Sequence, residues 1–106
     1  ESGVHISLAA EVDGKVVGFL LARVYYGEFG STEEVAVLDS LGVDPEYLNM
    51  GIGKRIFEQL RTNLKVLRIR QIRTEVSWDD QELLGFFHRH GFVPGKQLCL
   101  ELNLDS

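Results

Sequence analysis

The chain has 106 residues, of which 44% are hydrophobic and 25% charged, so its composition is that of a folded domain and excludes a disordered or collagen-like chain. Its 11 Lys and Arg against 16 Asp and Glu give a formal net charge of −5. That charge argues against a nucleic-acid-binding protein, which would normally carry a basic face. The single cysteine, Cys99, excludes an internal disulfide and favours a cytoplasmic protein. The longest strongly apolar run, 16–22, is far shorter than the roughly 20 residues of a spanning helix, so no membrane partner is expected.

The first half of the chain is typical of antiparallel strands. Apolar-rich runs over 5–12 and 15–26 are separated by Asp13-Gly14, a pair that adopts the positive φ angles of a tight hairpin turn. A loop rich in Gly, Ser and Glu follows over 27–34, and a third strand is predicted over 35–43.

The second half changes to a helical period. Apolar residues over 51–67 recur on one face of an amphipathic helix, and a short strand is predicted over 69–76. A second helix over 79–90 would begin at Asp79 as its N-cap and end at Gly91 in a left-handed conformation. Leucines then alternate with other residues over 98–104, which predicts a last strand, and 92–93 is a candidate for an extra short one. The order β-β-β-α-β-α-β predicts an α/β (α+β) fold over residues 1–106, a single domain with a mixed, mostly antiparallel sheet and helices packed on it.

The loop that enters the first helix has the features of a phosphate site. Asn49 is the one residue that could cap the helix, and Gly51 and Gly53 permit close approach to its backbone. Lys54 and Arg55 stand in the first turn, where positive charge opposes the helix dipole. A bound phosphate would accept hydrogen bonds from the free N–H groups and would offset the charge of the cations. The alternative is an ordinary turn capped by Asn49, with solvated cations.

Two common phosphate loops are excluded by spacing. A Walker A loop requires Gly where Leu48 stands and Ser or Thr where Arg55 stands. A dinucleotide fingerprint requires a third glycine at the position of Ile56.

The stretch 38–56 resembles the central motif of the GNAT N-acetyltransferase superfamily. In that motif a strand ending in Val meets an x-Pro-Glu-Tyr turn, and a Gly-x-Gly/Ala segment then opens a helix. Here the motif stands as Leu41-Gly42-Val43-Asp44-Pro45-Glu46-Tyr47 followed by Leu48-Asn49-Met50-Gly51-Ile52-Gly53. A second family landmark follows as Thr74-Glu75-Val76, Asp79-Asp80 and Phe86-Phe87-His88-Arg89-His90-Gly91-Phe92. The resemblance covers roughly residues 4–104.

This resemblance implies a GNAT-like acyl-CoA N-acyltransferase fold with acetyl-CoA as co-substrate. No metal is expected, because no Cys and His cluster has metal-ligand spacing and the acids lack a calcium-loop pattern. The backbone of Leu41, Gly42 and Val43 would pair with the pantetheine arm. The pyrophosphate would be held by Asn49, Met50, Gly51, Ile52, Gly53 and Lys54. Because the family usually begins with a strand and two helices, the chain is expected to lack these elements and to be truncated at its N-terminus.

Three positions depart from the family pattern. Leu48 replaces the Arg or Gln that usually opens the glycine motif. Asp80 occupies the place of an Asn often found near the cofactor. Phe87 replaces a Tyr that protonates the departing thiolate in many members, and His88 beside it is an alternative proton donor.

Direct acetyl transfer needs a base, because an ammonium substrate must lose a proton before it can attack. Glu75 matches the general base of the family's ribosomal-protein N-terminal acetyltransferases, and Asp39 lies on the strand that leads into the glycine loop. The alternative for each is an exposed strand carboxylate paired with Arg70 or Arg73.

The sequence therefore predicts an enzyme that transfers an acetyl group from acetyl-CoA to a primary amine, on a protein N-terminus, a lysine or a small molecule. Two other classes remain open. One is a non-catalytic acyl-CoA-binding or regulatory module of the same fold. The other is an interaction domain that forms a homodimer through its exposed sheet edge.

Overall fold

A computed structural model describes residues 4–26 and 34–105, and the chain divides after Glu75 into two units. The first unit is Glu1–Glu75 and the second is Val76–Ser106. Each unit is described by itself.

The first unit is built on a four-stranded sheet. Its strands are β1 (Val4–Val12), β2 (Lys15–Tyr26), β3 (Glu34–Val43) and β4 (Gln71–Thr74), in the spatial order β1-β2-β3-β4. The first three are antiparallel and β4 runs parallel to β3. Asp13 and Gly14 have φ angles of 52° and 81°, which confirms the predicted hairpin turn. Residues 27–33 of the predicted loop lie outside the described residues, and β4 is shorter than the predicted 69–76.

One face of this sheet is covered by α1 (Ile52–Val66), which confirms the helix predicted from the apolar period. The helix follows a single 3₁₀ turn at Pro45–Tyr47. The core lies between the helix and the sheet, and its largest fully buried side chains are Phe57, Leu20, Leu60, Leu64, Val17 and Val24. Burying each such side chain stabilises the fold by roughly 1.5–3 kcal/mol. A Cβ atom at Gly18 would lie 2.9 Å from Ile52 and Ile56, so the close approach of α1 to β2 requires glycine there.

The second unit contains α2 (Gln81–Arg89). Its N-cap is Asp80, whose carboxylate accepts the Leu83 N–H at 3.1 Å, so the prediction of Asp79 as the cap is wrong by one residue. At the other end Phe92 N–H donates to Phe87 C=O at 3.0 Å, and Gly91, with φ of 95°, donates to His88 C=O at 3.1 Å. This is a Schellman motif, and the Phe87 and Phe92 rings pack 4.8 Å apart across it.

The predicted last strand is absent from the described part of the chain, and so is the short one at 92–93. The alternating leucines Leu98, Leu100, Leu102 and Leu104 are 82–86% exposed. Alternation gives a segment an apolar face, but a strand also needs a neighbouring backbone to accept and donate its hydrogen bonds. Among the described residues no helix is long and apolar enough to cross a membrane.

Candidate functional site

The pairing of β3 with β4 ends partway along β3, where β4 itself ends, and we call this point, between Leu38 and Thr74, the strand fork. The two strands pair over four positions, the last being Leu38 with Thr74, and at this point the Thr74 hydroxyl donates to Leu38 C=O at 2.9 Å. Beyond Leu38, β3 continues to Val43 with β2 as its one strand partner among the described residues. Among the described residues no strand pairs with the other edge of residues 39–43, and an open edge presents backbone donors and acceptors to any extended ligand.

The half-buried segment Leu41, Gly42 and Val43 lies on this open edge. A Cβ atom at Gly42 would come within 2.5 Å of the Phe19 ring, because the ring lies over the bare backbone of the opposite residue. A side chain at position 42 would therefore require the partly exposed Phe19 ring to move. The predicted pantetheine residues are thus together on one free strand edge.

The turn from β3 into α1 is fixed by Asp44. Its carboxylate accepts the Glu46 N–H at 2.9 Å and lies 3.5 Å from the Lys15 ammonium, and the hydrogen bond to Glu46 holds the pKa of this carboxyl below its ordinary value. The backbone N–H of Asp44 donates to Val17 C=O at 2.7 Å. These contacts of Asp44 therefore fix the direction in which the chain leaves the sheet and enters the loop 48–51.

Helix α1 begins without a side-chain cap. Gly51 is its N-cap, with φ of 79°, and Arg55 N–H is the first backbone donor with an intrahelical partner, the Gly51 carbonyl at 3.0 Å. Within the described ranges no group accepts the N–H donors of Ile52, Gly53 or Lys54. The prediction of Asn49 as the cap is wrong, since the helix starts after Gly51 and Asn49 lies exposed with φ of 65°. Free donors at the positive end of a helix favour an anion.

Positive side chains reinforce this preference. Lys54 and Arg55 are exposed in the first turn of α1, which contains no acidic residue. An open groove of about 380 Å³ runs from the helix start along α1. It is lined by Gly51, Lys54, Arg55, Glu58, Gln59 and Thr62. The exposed Met50 precedes the cap, so all the residues predicted to hold pyrophosphate lie within this loop and first turn.

Asp39, one predicted catalytic carboxylate, lies at the strand fork but is held by an arginine. Arg23 donates to its two oxygens from Nε at 2.7 Å and Nη2 at 2.8 Å. This pairing holds the pKa of Asp39 below its ordinary value, which makes the carboxylate a weaker base. The expected alternative partners, Arg70 and Arg73, are wrong for Asp39, and no local pattern in the sequence indicated Arg23. Cross-strand register is the signal that would have identified it, and register requires knowledge of the sheet.

Glu75, the other predicted catalytic carboxylate, comes directly after Thr74 at the strand fork. It is exposed and makes no ion pair or hydrogen bond with any other residue in the described ranges. Arg73 donates instead to the Gln71 side-chain carbonyl at 3.0 Å. The strand fork thus offers one carboxylate engaged by arginine and one that is open to solvent.

Asp80 and Phe87, predicted to lie near the cofactor, belong to the second unit. The Asp80 carboxylate caps α2, and Phe87 is 4% exposed, with the rings of Phe86 and Phe92 against it. Their roles toward a cofactor stay predictions. Over residues 4–26 and 34–105, no group of three or more His, Cys, Asp or Glu could hold a metal ion.

The first unit thus places a strand with an open edge before a glycine-opened, uncapped helix. Residues 1–92 match the sequence model of the acetyltransferase (GNAT) family, and the chain belongs to this family. It is 35% identical over 94 residues to the uncharacterized N-acetyltransferase YjhQ of Escherichia coli (strain K12). That match covers 84% of this chain and 46% of the relative, so the chain spans about half the length of the curated protein it matches.

Solved structures agree with this fold. An aminoglycoside acetyltransferase, meta-AAC0020, from an uncultured soil metagenomic sample superposes with a TM-score of 0.80 at 19% identity, covering 96% of this chain and 66% of that one. AAC(6')-Iy in complex with a bisubstrate analogue, CoA-S-monomethyl-acetylneamine, gives a TM-score of 0.81 at 17% identity, covering 93% of this chain and 69% of that one. These likenesses show the fold, a mixed, mostly antiparallel sheet with helices, as the sequence predicted.

Proposed function

We propose that this chain is an N-acetyltransferase domain that transfers an acetyl group from acetyl-CoA to a primary amine. The observation that carries the proposal is the strand fork lying next to an uncapped helix start. In this proposal the pantetheine arm pairs with the open edge of Leu41–Val43, and the pyrophosphate accepts hydrogen bonds from the free N–H groups at 52–54. The likeness to a structure that binds a CoA-bearing analogue supports the same assignment.

Lys54 and Arg55 fit a polyanionic ligand. The N–H groups at the helix start supply directed donors, and the two cations supply long-range attraction. Leu48, which replaces an Arg or Gln in the family pattern, is 51% exposed and adds no polar contact, so the backbone donors would carry most of the binding.

We assign the proton-accepting role to Glu75 in preference to Asp39. Acetyl-CoA supplies an activated acetyl group when it is bound. One proton of the substrate ammonium first passes to Glu75, directly or through one water, and the neutral amine nitrogen then forms its bond to the acetyl carbon as the carbon–sulfur bond breaks. The second proton that the nitrogen gives up on becoming an amide passes to solvent. The released thiolate takes its proton from solvent, because Phe87 has none to give. Asp39 is a poorer acceptor, since Arg23 occupies both of its oxygens.

The acceptor belongs to the class of primary amines. Aminoglycoside acetyltransferases among the structural neighbours support a small-molecule amine, and a protein N-terminus or a lysine has the same reacting group. The net charge of −5 favours a cationic acceptor. The single cysteine, Cys99, favours activity in the cytoplasm.

A non-catalytic acyl-CoA-binding module is the second candidate. The observation in its favour is Phe87, which lacks the hydroxyl that many family members use and is almost fully buried. Such a module would bind acetyl-CoA with the same residues and would show no turnover.

The test combines calorimetric titration with acetyl-CoA and a thiol-release assay over a panel of primary amines. We expect binding, turnover with at least one amine, and a loss of about 10²–10⁴-fold in kcat for Glu75→Gln with unchanged acetyl-CoA affinity. The matched control is Glu101→Gln, which removes one exposed negative charge from the second unit and should leave kcat unchanged. Binding without turnover would establish the second candidate, and absence of binding would contradict both.

A further inference from the structure

We infer that Arg23 and Asp39 form a positioning pair for the donor site, holding the extra residue of β3 at the point where that strand leaves β4. The inference rests on the proposed function, because it assigns this pair a role in shaping the edge that would receive acetyl-CoA. It gives Asp39 a role different from that of a general base.

The backbone register identifies Asp39 as a bulge residue. Leu21 pairs with Ser40, and the next residue of β2, Ala22, pairs with Leu38. One residue of β3, Asp39, is therefore inserted without a partner on β2. A bulge bends its strand, increases the local twist and ends regular pairing.

The bulge coincides with the strand fork. Leu38, immediately before Asp39, makes the last pair with β4, through Thr74. The bend at Asp39 therefore begins at the residue directly after the last pair between the two strands. Any contact that fixes Asp39 also fixes the geometry of the open edge that follows it.

Arg23 is the contact that fixes this residue. Its guanidinium binds both oxygens of Asp39 at 2.7 and 2.8 Å, a two-point geometry that sets direction as well as distance. Arg23 also donates to the Tyr25 hydroxyl and lies 5.4 Å from the Tyr25 ring centre, so the guanidinium is itself oriented from its own strand. His5 of β1 lies opposite Arg23 in the backbone register, so another titratable side chain stands beside Arg23 on the sheet.

The other side of the strand fork is held by a different contact. The Thr74 hydroxyl of β4 donates to the Leu38 carbonyl, which lies on the edge of β3 that faces β4. Arg23–Asp39 ties the bulge to β2, while Thr74 ties the last paired residue to β4. With both oxygens of Asp39 engaged, the carboxylate holds the strand and is not free to take a substrate proton.

The test uses the chain with Arg23→Gln, Asp39→Asn and the two combined. The matched control is Lys65→Gln, which removes one positive charge from the last turn of α1, away from the strand fork. Acetyl-CoA affinity is measured by calorimetric titration, and kcat and KM by thiol release. We expect each single variant to weaken acetyl-CoA binding about fivefold, the double variant to be no weaker than the singles, and the control to match the wild type.

A pH profile separates positioning from proton transfer. Loss of Arg23 would raise the pKa of Asp39, so a general-base role predicts that the acid limb of kcat moves to higher pH in Arg23→Gln. We expect the limb to stay in place and the acetyl-CoA KM to change more than kcat. Melting curves confirm that each variant is folded before it is compared.

Three outcomes overturn the inference. One is a double variant whose loss of acetyl-CoA affinity is the product of the two single losses. Another is a fall in kcat of a hundredfold or more in Asp39→Asn with unchanged acetyl-CoA KM. The third is wild-type affinity in both single variants. A wild-type chain that binds no acetyl-CoA would instead refute the proposed function itself, so the two failures are distinguishable.

Discussion

The helix start at Gly51 offers the sharpest test of where a phosphate would bind. Gly51 has φ of 79° and open space where a Cβ atom would lie, so Gly51→Asp adds backbone strain of about 1 kcal/mol without a steric clash. The introduced carboxylate would occupy the free N–H groups or repel an anion from them. Gly14, with φ of 81° and equally open surroundings, lies in the β1–β2 hairpin. Gly14→Asp therefore imposes the same kind of strain away from the proposed site.

The expected effect is large enough to read from melting curves. Acetyl-CoA at 100 times its Kd would stabilise the folded chain by about 2.7 kcal/mol. For a chain of about 100 residues this corresponds to a rise of roughly 10 °C in Tm. We expect the wild type and Gly14→Asp to show the full rise, and Gly51→Asp to show little or none. Because a carboxylate is favoured at the positive end of a helix, Gly51→Asp should be no less stable than Gly14→Asp without ligand.

An equal rise in the two variants would refute the assignment of phosphate to the helix start, while family and fold would stand. A wild type that shows no rise would refute the proposed donor site as a whole. Gly14→Asp carries the same substitution in the hairpin, so a failure at the helix start is distinguished from a failure of the whole donor site.

The remaining predictions concern stability. Leu60→Ala, at a fully buried position of α1, should cost about 2–5 kcal/mol in urea unfolding, and Val66→Ala, 77% exposed on the same helix, should cost about 0.5 kcal/mol or less. Asp80→Ala should cost about 1 kcal/mol by removing the cap of α2, and a loss of the same size in Asp79→Ala would contradict the cap assignment. Asp39→Asn should destabilise the fold near pH 7. The pKa of Asp39 is lowered in the folded chain, so its contribution is present above the unfolded pKa of about 3.9 and is lost as the pH falls through the folded value. Urea midpoints measured from pH 7 to pH 2.5 should therefore converge with those of the wild type, and a constant gap would refute this origin.

Local signals predicted the parts of the fold that depend on local chemistry. Asp13-Gly14 adopts its turn because both residues tolerate positive φ, and α1 follows from one apolar stripe that buries against the sheet. Cap positions follow less directly from local chemistry. Asp79 and Asp80 are chemically equivalent candidates, and only the helix that forms decides which carboxylate reaches the Leu83 N–H.

Features that depend on a distant partner could not be predicted in this way. The leucine alternation over 98–104 satisfies the strand pattern, yet the described chain shows no strand there because no neighbouring backbone pairs with it. Arg23 and Asp39 are 16 residues apart, and a bulge shifts the register that brings them together. The glycine pair and the family motif predicted free N–H groups at the start of α1, but the alternative of an Asn49 cap was excluded only when Gly51 proved to be the cap.

The inserted residue in β3 has a consequence for how this chain tolerates changes in length. Deleting position 39 would bring β3 back into regular pairing with β2 and would remove the bend after which it parts from β4. Every side chain proposed to line the donor site could then be present while the strand fork is closed. Under the proposed function, the room for an extended ligand would thus depend on the number of residues along β3 as well as on their identity.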